Sequence, residues 1–218
     1  MPTPKPQQRA PDIDGLRSLE RLAKENSSEM RRELMSQLAD LLTKGGNFYP
    51  DETVEMIGET LVTLLDQIDE AGRADLSERV AAIEVTPHIL AKKLAQDEAV
   101  HVAEPVLEQS PVLTDEDLVE IATEQSEEHL LAMARRGHLD AKVTDAMIDR
   151  DMKPVFQAVA TNAGASISEA GFVRLSEEAG SNDDLAEALS QRLDIPCLLY
   201  TSPSPRDCNE YLVCRLLL

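Results

Sequence analysis

Asp97, His101 and Glu104 fall at i, i+4 and i+7 in the stretch DEAVHVAEPV, so on a helix the three side chains share one face. Imidazole and carboxylate projecting together is an arrangement that metals use. The chain has no HExxH segment, no His-Glu dipeptide and no second matched pair, so a surface ion pair is the favoured reading and no metal is expected. His129 with Arg135 and Arg136 forms a second group. The paired arginines precede Gly137, where they would serve helix-end carbonyls and the negative end of the helix dipole. The alternative is that a guanidinium faces a groove and pairs bidentately with a partner's carboxylate or phosphate, which makes His129, Arg135 and Arg136 the partner-binding candidates.

Carboxylate pairs such as Glu127-Glu128 and Asp183-Asp184 sit where helix first turns are expected, so they read as dipole partners rather than acid/base catalysts. There is no GxSxG elbow, no GxxxxGK[ST] loop and no GxGxxG. No catalytic residue and no cofactor is therefore assigned, and the residues argue against an enzyme more than for one.

The elements that carry these residues repeat. Aligned on Asp97, Ser126, Asp151 and Ser181, the lines DEAVHVAEPV, SEEHLLAMAR, DMKPVFQAVA and SNDDLAEALS recur at spacings of 29, 25 and 30 residues. Each opens on a polar residue expected to cap its helix and continues into an Ala-rich apolar stripe. Helical units at such a period predict an all-α fold, a HEAT-like helical-repeat solenoid of antiparallel helix pairs. Further helices are expected over about 28–44 and about 51–71, the second closed by Gly72, and one begins at Thr86-Pro87. Homodimerisation through the 51–71 helix is an open alternative, though its stripe is too short for a coiled coil. Thr114-Asp115-Glu116-Asp117 reads as a capping box flanked by a Leu113–Leu118 staple. Beyond it, helices are expected at about 114–125, 127–136, 139–150, 152–162, 167–179 and 182–193. The organisation is a lead-in (1–11) with little to bury, an N-terminal helical region (12–84), a helical-repeat region (85–196) and a tail (197–218).

Charge narrows the partners. Forty-one acidic against 21 basic residues give a net charge of −20. From Leu94 to Ala134 there is no Lys or Arg but eleven carboxylates, a surface that repels phosphate backbones, so nucleic acid is not expected. No apolar run reaches the roughly 20 residues a membrane helix needs, and no secretory h-region opens the chain. A cytoplasmic location is expected. All three cysteines (Cys197, Cys208, Cys214) lie in the tail, where LLYTSPSPRD resembles a translated sequencing-library adapter; native sequence is expected to stop near Pro196.

Val102 to Leu113 (VAEPVLEQSPVL), Asp117-Leu118 and Ser126 to Arg136 resemble a bacterial family, the domain of unknown function 2336, over roughly Leu16 to Pro196. The resemblance implies HEAT-type helical repeats and a bacterial cytosolic protein, and it implies no activity. The functional expectation is an interaction or scaffold module offering a helical surface to a protein or peptide partner in bacterial regulation. The alternative is a ligand- or metal-binding sensor or enzyme with an inter-helical pocket near His101 or His129.

Overall fold

The computed structural model describes residues 28–45 and 49–194; the lead-in, the part of the N-terminal helical region before Ser28 and the tail lie outside the described residues. Within them the fold is all-α. Eleven helices run in order: α1 (Ser28–Gly45), α2 (Asp51–Leu65), α3 (Glu70–Val80), α4 (His88–Ala95), α5 (Val100–Gln109), α6 (Asp115–Glu124), α7 (Glu127–Met133), α8 (Ala141–Ile148), α9 (Lys153–Thr161), α10 (Glu169–Ala179) and α11 (Asp183–Ser190). The single β feature among the described residues is a parallel bridge between Leu139 and Ala165.

Helices pack against their second neighbours, which sorts them into two layers. One layer is α1, α3, α5, α7, α9 and α11, each against the next; the other holds α2 against α4 and α6 against α8 against α10. The four repeated lines supply α5, α7, α9 and α11, all in the first layer. Their buried positions follow one rule. Val102, Ala103, Val106 and Leu107 fill α5; Val155, Phe156, Val159 and Ala160 fill α9; Leu185, Ala186 and Leu189 fill α11. Neighbouring stripes of this kind bury one another, each full-sized apolar side chain contributing about 1.5–3 kcal/mol. In α7 the first stripe position is His129.

The capping box forms as the sequence predicts. Thr114 Oγ1 accepts from the Asp117 amide at 3.2 Å, and Asp117 Oδ2 accepts from the Thr114 amide at 3.1 Å. Leu113 and Leu118 beside it are both buried.

Three local expectations are corrected. The 51–71 segment is two helices: α2 ends at Leu65, and Asp69 opens α3 by accepting the Gly72 amide at 3.3 Å. Gly72 thus lies in the first turn of α3 rather than closing a helix, and a β-carbon there would collide with Ile68. Thr86 does not cap α4; its hydroxyl turns back to the carbonyl of Val80 at 3.0 Å, leaving Pro87 at the cap position. None of the four line-opening residues Asp97, Ser126, Asp151 and Ser181 caps its helix: α5, α7 and α9 start without a side-chain cap, the Ser126 hydroxyl being taken by Glu128 and His129, and α11 is capped by Asn182 instead of Ser181.

Candidate functional site

His129, Arg135 and Arg136 leave α7 in three directions. His129 is 2% exposed. Its Nε2 donates to the carbonyl of Asp97 at 2.9 Å, which fixes the proton on that nitrogen, and Nδ1 meets Ser126 Oγ at 2.9 Å. The ring therefore ties the start of α7 to the turn before α5, from a position where the sister helices carry Val102, Val155 and Leu185.

Arg136 also points inward. Its two terminal nitrogens donate to the carbonyls of Leu107 (2.6 Å) and Ser110 (2.7 Å) at the end of α5. Burial lowers its pKa, and Asp115 nearby counters part of that. Arg135 is the exposed member and pairs with Glu104 of α5. Of the three candidates, Arg135 alone meets solvent broadly.

Arg136 is one case of a repeated device. Each last helical turn leaves carbonyls without partners. Asn162 Nδ2, just after α9, donates to the carbonyls of Ala134 (2.8 Å) and Arg136 (2.7 Å) behind α7. Arg192, after α11 and stacked 5.8 Å from the Phe172 ring centre, donates to Asn162 (2.7 Å) and Ala165 (2.6 Å) behind α9. Arg150 does the same in the other layer, from the end of α8 to Ala122, Thr123 and Gln125 behind α6. The paired arginines were expected to serve a helix end, and Arg136 serves the end of the preceding same-layer helix instead of its own.

The triad Asp97, His101 and Glu104 does not converge. Asp97 is gripped by Arg73 of α3 at 2.6 Å and 3.1 Å, His101 is exposed and lies 3.1 Å from Glu70, and Glu104 goes to Arg135. Burial raises the Asp97 pKa, but Arg73 and the Ala99 amide outweigh it and hold the carboxyl below its ordinary value. Among the described residues no group of three His, Cys, Asp or Glu side chains is placed to hold a metal ion.

A cleft opens elsewhere, beside α4 and α6. It has a volume of about 620 Å³ and is lined by Asp66, Arg73, Lys93, Gln96, Asp97, Glu98, Glu120 and Glu124 among others. Both cations are paired: Arg73 with Asp97, and Lys93 with Asp66 at 3.4 Å. At its edge Lys92 of α4 bridges to Asp117 (3.1 Å) and Glu120 (2.7 Å) of α6, and His88 reaches Asp117 at 2.6 Å. Asp117 is nearly buried. Burial would raise its pKa, but the Thr114 hydroxyl and amide, His88 and Lys92 hold it far below the usual carboxylate range. Sequence reasoning singled out Asp117 as a cap and missed its bonds to α4, because partners 25 and 29 residues away leave no periodic signal. No helix among the described residues is long and apolar enough to cross a membrane.

No curated protein and no solved structure matches the chain. Residues 102–201 match a family model, taking in most of α5 and everything described after it. That model is the one described as Uncharacterised protein conserved in bacteria (DUF2336), and over this segment, a little under half of its length, the chain is similar to that bacterial family.

Proposed function

We propose that the chain is a cytoplasmic interaction module: a HEAT-like solenoid that presents the α4–α6 cleft and its acidic surround to a protein or peptide partner in bacterial regulation. The observation that carries this reading is the cleft itself, an open, polar, mostly acidic concavity on a two-layer helical support. Glu98 and Glu124 on its walls make no ion pair with a basic side chain among the described residues, so they are available to a cationic group from outside. Arg135, exposed at the neighbouring α5–α7 seam, adds a contact of opposite sign.

The test is affinity capture from native bacterial lysate with cross-linking, the wild type run beside Glu98→Lys/Glu124→Lys. A partner held by the wild type and lost by the charge-reversed variant supports the reading; equal recovery by both counts against the cleft. A second reading, a small-ligand sensor, draws on the cleft's volume, which lies within the span of about 300–1,000 Å³ typical of ligand sites. A thermal-shift screen separates the two, since a ligand bound to the folded state raises Tm without any partner.

A further inference from the structure

The stack is not equally well joined along its length. Between α3 and α4, two pairs of helices pack extensively across the division, α3–α5 and α2–α4, and α3–α4 touch as well. Between α7 and α8, both layers continue through α6–α8 and α7–α9. Between α5 and α6, by contrast, α5 against α7 is the single extensive helix–helix contact among the described residues. In the other layer α4 and α6 are not an extensive contact pair, although their buried apolar side chains belong to one core, and the cleft opens beside them. Polar bridges also join the two helices: Lys92 to Asp117 and Glu120, His88 to Asp117, and Gln96 Nε2 to Glu120 at 3.2 Å.

We propose that this junction is a hinge. The block α1–α5 swings against the block α6–α11 about the α5–α7 seam, with Lys92 as the latch that sets the width of the cleft. The seam is suited to be an axis, because its apolar stripe is supplemented by directional bonds from α7 to α5 that hold the two helices in register: His129 to Asp97 and Arg136 to Leu107 and Ser110. The latch is suited to release, because Lys92 and Glu120 are partly open to solvent, where ion pairs are weak and screened by salt. Hinge motion of this kind needs one soft connection between two well-packed bodies, and the helix contacts supply both. The inference stands independently of any partner in the cleft.

Distance measurement between paired nitroxides tests it, in full-length chain with Cys197, Cys208 and Cys214 changed to Ser. Labels at Met56→Cys on α2 and Glu116→Cys on α6 span the joint, and labels at Glu116→Cys and Lys142→Cys on α8 stay within one block; all three positions are exposed. Lys92→Met is expected to broaden the 56–116 distribution and move it by several ångströms while the 116–142 distribution keeps its width. Raising salt from about 0.05 to about 1 M, where the screening length falls to about 3 Å, is expected to do the same to the unmutated latch. A 56–116 distribution unchanged by Lys92→Met overturns the hinge. If Lys92→Met broadens both pairs, the variant has lost its fold; the salt series on the intact latch then decides, and an unchanged distribution there overturns the proposal equally.

Discussion

Arg136 and Leu107 lie 29 residues apart, and the guanidinium of the first donates to the carbonyl of the second at 2.6 Å, closing the end of α5 with a side chain from the end of α7. Arg136→Met keeps much of the aliphatic stem and removes the donors, leaving the carbonyls of Leu107 and Ser110 short of partners. Each unsatisfied buried group costs about 1–3 kcal/mol. The variant is expected to lose about 2–4 kcal/mol, read as a lower urea midpoint at constant slope.

Asn162 donates to the carbonyl of Arg136 itself, so the two caps share a backbone unit. Asn162→Ala and Arg136→Met should therefore not add. A double-mutant cycle in urea is expected to give a coupling of at least about 0.5 kcal/mol, and strict additivity would show that the caps act separately.

The α7–α8 and α9–α10 turns meet backbone to backbone. The Leu139 amide donates to the Gly164 carbonyl at 3.1 Å and the Ser166 amide to the Leu139 carbonyl at 2.9 Å. Gly164 keeps a negative φ, so its role is space: a β-carbon there would land on the Gly137 carbonyl. Gly164→Ala is expected to cost about 1–3 kcal/mol, whereas Gly137→Ala, with open space at the same atom, should be close to neutral. Thermal unfolding of the two variants side by side checks this.

Asp117 ties pH to stability. Its carboxyl is held lower in the folded chain than its ordinary value of 3.8. A depressed folded pKa contributes stability that is complete above the unfolded value and is lost as pH falls below it. Asp117→Asn should therefore be less stable than the parent at pH 7, by about 1–3 kcal/mol, and the gap should narrow as pH drops below about 4. Urea midpoints at neutral pH and at pH about 3 test the sign.

The helices of the repeat region were legible in the sequence because their apolar stripes are intact, and the start of α6 because Thr114 and Asp117 stand at capping-box spacing. The α3 helix was not legible. Its buried residues are Leu76, Ser77 and Val80, and Ser77, whose hydroxyl donates to the Val102 carbonyl at 2.5 Å, breaks the stripe with a polar residue. Asp69 was equally hidden, since a capping Asp inside a continuous 3–4 pattern looks like one more surface acid. At the site, the type of interaction was legible where the partner was not. A helix-end role for Arg136 follows from the Gly137 beside it, but only packing decides that the end it serves belongs to α5. The same holds for His129: nothing in its local spacing distinguishes a surface imidazole from one seated in the aliphatic stripe and bonded to Asp97.

The borrowed closures have a direction. Arg192 finishes α9, Asn162 finishes α7 and Arg136 finishes α5, always later residues completing earlier helices. A nascent chain in this layer thus leaves α5, α7 and α9 without these closures at their exits until the following unit has been made. Conversely, peeling the stack from the α11 side strips this protection from one rung at a time.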